Sequence, residues 1–211
     1  MTIAARTDET IRRDLIGAMA GCVAEKGYAA TTIADIVAMA HVSKRTFYEH
    51  FTGKEDCLLA VYQHVCGWLM KVIRGAGTAD QRWPERISGG AAAFLSALDS
   101  MPEFSRALLV EMQGAGERAF RMRQETLRGF AGTLVELVAA ARPANPEIGQ
   151  LTLPQALAIV GGINELLTQT LEGYGVPQPE DRPFSALHGD VVRLISAVLT
   201  YRPVADGSAS M

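Results

Sequence analysis

Cysteine is scarce. The 211 residues hold three, Cys22, Cys57 and Cys66, an odd count without the regular spacing of a disulfide framework. Thiols so placed read as small core hydrophobes in a chain from a reducing compartment. Cys57 and Cys66 lie on one helical stretch, about 13 Å apart along its axis, too far for a bridge. Cys57, His64 and Cys66 also lack further converging groups, so no metal site is expected. Long apolar runs are missing too. The best, residues 148–164, contains Gln150, Thr152, Pro154 and paired glycines, which argues against a membrane span. The opening MTIAARTDETIRRD lacks the apolar segment of a signal peptide, and a cytoplasmic location is expected. No stretch alternates apolar and polar residues as a half-buried strand would, and no internal repeat is visible. Catalytic signatures are absent as well: there is no G-x-S-x-G, no H-E-x-x-H and no phosphate loop. Neither enzyme activity nor a cofactor is expected.

Strong basic charge is the last absence. The net charge is −3, which would not by itself suggest nucleic acid. It is unevenly spread, however. Residues 1–54 carry seven Lys/Arg against six Asp/Glu, and residues 55–211 carry thirteen against seventeen. Any affinity for DNA must therefore come from local placement of charge.

What is present is helical periodicity. Apolar residues make up 48 % of the chain and charged residues 20 %, a soluble globular balance. Ile11, Leu15, Met19, Cys22 and Val23 form one stripe of a first helix over 8–26, which Gly27 stops. Thr32 caps a second helix, with Asp35 in capping-box position, and Ile33, Ile36, Val37 and Ala40 give its buried side. Ser43 caps a third, in which Phe47 and Phe51 face the core and Val42 staples the entry. Gly53 ends it. A longer fourth helix runs from Lys54 to about Arg74, and further helices are predicted over 84–100, 103–113, 117–141, 154–173 and 184–201. The fold class is all-α. A three-helix N-terminal domain (1–54) joins, through the long connector, a C-terminal helical domain (55–201), followed by a disordered polar tail (202–211).

The second and third helices form a helix-turn-helix pattern, and the third would leave Lys44, Arg45, Thr46, Tyr48 and His50 on its outer face. Lys44, Arg45 and Thr46 suit base edges, since Arg or Lys pairs with guanine acceptors and a Thr methyl touches thymine. Thr32, Tyr48, His50 and Lys54 suit phosphates, and Ser43 and Thr32 sit at helix N-termini that favour an anion. Such a pattern alone is also compatible with a plain structural corner. Arg118, Arg121, Arg123 and Arg128, interleaved with Glu117 and Glu125, read as a solvated face rather than a second basic patch.

Residues 12–58 resemble the DNA-binding domain of the TetR family of bacterial transcriptional regulators. The resemblance rests on Glu25-Lys26-Gly27-Tyr28, Thr31-Thr32-Ile33-x-x-Ile36, Val42-Ser43-Lys44 and Phe47-Tyr48-x-His50-Phe51-x-x-Lys54-Glu55. Two positions depart from the pattern. His41 stands where the family usually has a turn glycine, at a strain of about 1 kcal/mol if φ is positive. Val37 stands where the family favours Ala.

The resemblance implies a homodimer bound to a double-stranded palindromic operator. It also implies a C-terminal domain that holds a largely apolar small-molecule effector and the dimer interface. Pocket candidates in the implied region are Trp68, Trp83, Phe94, Met101, Phe104, Met112, Gln113, Phe120, Phe130 and Asn164, the two amides being the informative members. The dimer face is expected on Leu157, Val160, Gly161, Gly162 and Ile163 of one helix. From the last helix it takes Leu187, Val191, Leu194, Ile195 and Val198. The expected function is a ligand-responsive regulator, most simply a repressor. A dimeric binding module without DNA recognition, or an enzyme using the pocket, are the rivals.

Overall fold

The structure, a computed structural model, describes residues 7–77, 81–174 and 181–201. The predicted tail, 202–211, lies outside them. The described residues contain ten α-helices, and no strand occurs among them. Helix α1 (Asp8–Ala30), α2 (Ile33–Ala40) and α3 (Lys44–His50) form the N-terminal group, and α4 (Lys54–Gly75) leads away from it. Then follow α5 (Trp83–Asp99), α6 (Pro102–Arg106), a π-helical turn (Ala107–Glu111) and α7 (Met112–Gly114). The long α8 (Glu117–Ala141), α9 (Leu153–Tyr174) and α10 (His188–Thr200) complete the chain.

Local chemistry explains the boundaries. The Thr7 hydroxyl accepts from the Thr10 amide at 3.2 Å and opens α1. Gly27 does not end α1 but kinks it, at φ 77° and ψ 163°, and one more turn follows to Ala30. Asp56 accepts from the Thr52 amide at 3.0 Å, bracing the entry to α4. Helix α4 spans 22 residues, about 33 Å. It runs alongside α8 in the same direction: Arg118 meets Glu55 near the start of α4, and Arg74 meets Glu136 near its end.

Two apolar clusters fill the interior and meet along α4. The first gathers Leu15, Met19, Ile36, Phe47, Phe51 and Leu58, and it also takes Ala107, Met112, Ala115 and Ala119 from the C-terminal half. The second gathers Leu69, Leu95, Leu98, Ile159, Leu171, Phe184, Val191 and Leu199. The expected border at residue 54 therefore does not close a core: the N-terminal helices share theirs with the segment 107–119. In the second half, buried Asp99 receives the amides of Phe184 and Ser185 at 3.0 and 2.9 Å and the Ser185 hydroxyl, pinning the entry to α10 against the end of α5.

Candidate nucleic-acid interface and ligand cavity

The α2–turn–α3 unit is fixed by short-range bonds. Thr32 Oγ1 accepts from the Asp35 amide at 3.2 Å, and Asp35 Oδ2 accepts from the Thr32 amide at 2.8 Å, a reciprocal capping box. Lys26 Nζ sits 2.7 Å from the same Asp35 oxygen. Hydrogen bonds from Lys26 and Thr32 hold the Asp35 carboxyl well below the usual carboxylate range. His41 adopts the left-handed conformation (φ 54°, ψ 46°) at the end of α2. Its amide donates to Ala38 O, and the Val42 amide to Val37 O at 3.0 Å, so His fills the place a helix-ending glycine commonly takes.

Helix α3 then starts at Ser43, whose Oγ accepts from the Thr46 amide at 3.0 Å. Phe47 and Phe51 are buried, their ring centroids 5.7 Å apart. Anchored on that side, the helix turns Lys44, Arg45 and Tyr48 into solvent. Tyr48 is 58 % exposed and rests edge-on against Phe47. The Arg45 side chain is 91 % exposed, with Nε 3.3 Å from Glu49. Thr46 is half-buried beneath them, its hydroxyl 2.9 Å from Ser43 Oγ.

Two of the phosphate candidates point elsewhere. His50 has a side chain only 5 % exposed, with Nε2 3.5 Å from Asp8. Lys54 Nζ donates to the carbonyls of Tyr28 and Thr31, both at 2.9 Å, and stands 4.3 Å from the centre of the Tyr28 ring. Its charge caps the C-terminus of α1, where the helix dipole is negative. Sequence spacing located Lys54 correctly on the chain but could not show that three carbonyls lie within its reach.

The C-terminal half encloses a cavity of about 210 Å³, some seven times the ~30 Å³ share of a liquid water molecule. Its wall is built by α4 (Leu69, Ile73), α5 (Ile87, Phe94), Leu108 and Leu109 of the π turn, α8 (Leu127, Phe130, Leu134), α9 (Ile159, Ile163) and α10 (Val191, Ile195). The solvent-facing residues of that wall are Arg74 in the last turn of α4 and Gly77 just beyond it, beside half-buried Trp83 and Arg86. Arg74 is held by Glu136 at 3.1 Å and by the Thr133 hydroxyl at 2.9 Å. The half-buried Asn164 adds an amide deeper in the wall.

The sequence model described as "Bacterial regulatory proteins, tetR family" matches residues 15–61, from Leu15 within α1 through the first turns of α4. Over this stretch the chain is similar to TetR-family regulators. The uncharacterised HTH-type transcriptional regulator YxbF of Bacillus subtilis is 28 % identical over 97 residues. That match spans 46 % of this chain and a quarter (25 %) of YxbF. Whole-chain likenesses come from solved structures. The fatty acid degradation regulator FadR of Bacillus halodurans has a TM-score of 0.75 at 21 % identity, over 91 % of this chain and 97 % of that one. FadR of Bacillus subtilis, solved in complex with stearoyl-CoA, has a TM-score of 0.71 at 19 % identity, over 89 % and 98 %. These likenesses show a shared fold over about nine-tenths of the chain, the C-terminal helices included.

The pocket candidates divide. Trp83, Phe94, Phe130 and Asn164 line the cavity; Trp68, Met101, Phe104, Met112, Gln113 and Phe120 do not. Met112 is fully buried, but in the N-terminal cluster. Phe104 packs between the two clusters. Trp68 (39 %) and Phe120 (55 %) are exposed, because Leu69 and Ala119 beside them take the inward faces of α4 and α8. Gln113 is exposed and donates to Leu109 O at 2.7 Å, so its amide already has a partner.

The residues expected at a dimer face divide too. Val191 and Ile195 are buried and line the cavity with Val160, since α10 is apolar on two sides. Leu187, Leu194 and Val198 lie half-buried, as do Leu157, Gly162 and Ile163, while Gly161 is exposed. Arg74, Arg86 and the π-turn leucines were missed at the sequence level. An apolar stripe at Leu127, Phe130, Leu134 and Leu137 on α8 was the signal for that wall. Among the described residues no group of three His, Cys, Asp or Glu is placed to hold a metal. No helix among them is long and apolar enough to cross a membrane.

Proposed function

We propose that the protein is a transcriptional regulator that binds an inverted-repeat operator as a homodimer and releases it when an effector fills the C-terminal cavity. The observation that carries the reading is the opposed anchoring of α3: two buried phenylalanines on one side leave Lys44, Arg45 and Tyr48 free on the other. Arg45 and Lys44 are assigned to base edges with Thr46, and Tyr48, Ser43 and Thr32 to phosphates. His50 and Lys54 act behind that face by holding α1 against α3 and α4.

The outer side of α9 supports a second copy. Ala158 and Gly161, three residues apart, are exposed there, as is Leu166 further along, and the two small residues let another helix approach closely. Half-buried Leu194 of α10 lies beside Gly162, its Cδ2 3.6 Å from where a side chain there would begin. The cavity chemistry fits an amphipath with a long apolar part and an anionic end, the apolar part among the leucines and phenylalanines and the anion at Arg74 and Arg86. The stearoyl-CoA bound by the Bacillus subtilis relative belongs to that class. On this reading the protein acts in the cytoplasm, most simply as a repressor.

The test is selection of bound sequences from random duplex DNA, followed by titration of stearoyl-CoA against the recovered duplex complex. An enriched inverted repeat, with a steep negative slope of log affinity on log salt, and release by stearoyl-CoA are expected. Absence of any enriched sequence overturns the operator reading.

A further inference from the structure

The π-helical turn Ala107–Glu111 has two working faces. Leu108 and Leu109 on one face are wall residues of the cavity. Glu111, at the end of the same turn, leaves the other face and reaches the N-terminal helices. Its Oε2 accepts from the Tyr28 amide at 3.0 Å. That amide follows Gly27, where α1 leaves helical geometry, so it needs an acceptor from outside the helix. The fit is close, since a side chain begun at Gly27 would meet Glu111 Oε1 at 3.4 Å.

Two further contacts give the arrangement its direction. Oε1 of Glu111 lies 3.3 Å from Arg106 Nε, yet that buried Nε has no aligned hydrogen-bond acceptor. One carboxylate thus serves two donors, satisfying Tyr28 and leaving Arg106 short. On the far side, the Tyr28 and Thr31 carbonyls are bound by Lys54, and Thr31 runs directly into the Thr32 cap of α2. Cavity wall, π turn, carboxylate, α1 kink and helix-turn-helix are therefore joined by a handful of contacts.

We propose that Glu111 is the positioning residue that couples cavity occupancy to the DNA-binding helices. An occupant displaces Leu108 and Leu109, the turn carries the carboxylate from the Tyr28 amide to Arg106, and the released α1–α2 junction lets α3 change its angle. The π turn supplies the two-state element, because its extra residue can be redistributed along the helix. This rests on the effector reading above, and the experiment separates the two.

Stearoyl-CoA is the probe, and the duplex recovered by selection is the partner. In the wild-type chain the probe weakens duplex affinity by a coupling factor on the order of 5–150. Glu111→Gln places an amide NH2 opposite one of the two donors; it should bind stearoyl-CoA without DNA as the wild type does, while the coupling factor falls towards one. A purely structural loosening would lower stability or basal duplex affinity and leave that factor in place. An unchanged factor in Glu111→Gln overturns the proposal. If stearoyl-CoA fails to bind or to act on the wild type, the effector reading is the one refuted. The clasp then stands on a second arm: Leu109→Ala, which trims the cavity wall, must speed hydrogen exchange at the Tyr28 amide and leave the Phe47 amide unchanged. Equal Tyr28 exchange in Leu109→Ala and wild type overturns it.

Discussion

Replacing Lys54 with Met separates two roles for one cation. A phosphate ligand gives up affinity and salt dependence when its charge is removed, whereas a helix cap gives up stability. The Lys54 ammonium donates to the Tyr28 and Thr31 carbonyls at 2.9 Å each, stands 3.4 Å from the Ala29 carbonyl, and lies over the Tyr28 ring. A hydrogen bond involving a charged group contributes about 1.5–3 kcal/mol. The cation–π contact adds about 0.5–1 kcal/mol. Met keeps the apolar stem, so the change isolates the charge. A net loss of about 2–3 kcal/mol follows, because water regains part of the freed carbonyls. At about 2–4 °C per kcal/mol for a chain of this size, the unfolding midpoint should fall by about 5–10 °C. Thermal unfolding measures that, and a salt titration of duplex binding measures the other role. The slope of log affinity on log salt should match the wild type, whereas a lost phosphate contact would reduce it by about 1. A midpoint unchanged within error, together with a reduced slope, refutes the capping role and returns Lys54 to the DNA.

Three shorter predictions concern charge. Arg45→Ala should cost about 1–3 kcal/mol on the selected duplex and relax its sequence preference, whereas Glu49→Ala, by removing the carboxylate 3.3 Å from Arg45, should strengthen binding to duplexes generally; fluorescence anisotropy on matched and scrambled duplexes reads both. Asp35 has its folded pKa lowered by Lys26 and Thr32 from an ordinary value of 3.8, so its contribution is complete above about pH 5 and is lost on acidification. The stability gap between wild type and Asp35→Asn should stay level from pH 7 to 5 and shrink below about pH 4, and a gap that widens in acid refutes the capping box as its source. Burial pushes the Cys57 and Cys66 thiols up to about 12, so neither should react with a thiol reagent at pH 8 in the folded chain, while both react in denaturant.

The N-terminal helices were legible because their determinants are local. Thr32 and Asp35 are three residues apart, as are Ser43 and Thr46, and each pair bonds within its own turn. The left-handed His41 was likewise readable from its place in the turn. The cavity was less so, because its wall is drawn from helices remote in sequence. Periodicity marks which residues of α8 are apolar but does not say that Phe120 faces out while Phe130 faces in. Val191 and Ile195 misled for a similar reason: a stripe fit to meet a second subunit is equally fit to meet a cavity. Lys54 and His50 were placed on the DNA side by residue type, but carbonyls and a carboxylate that only the fold brings near hold them back.

The shared N-terminal core bears on how this chain can be recombined with others. A chimera that joins residues 1–54 to a foreign effector body removes Ala107, Met112, Ala115 and Ala119 from beneath α1 and α4. It also removes the carboxylate that closes the α1 kink. Moving the α2–turn–α3 unit intact therefore needs a discontinuous graft, the first four helices together with the strip that seals their underside.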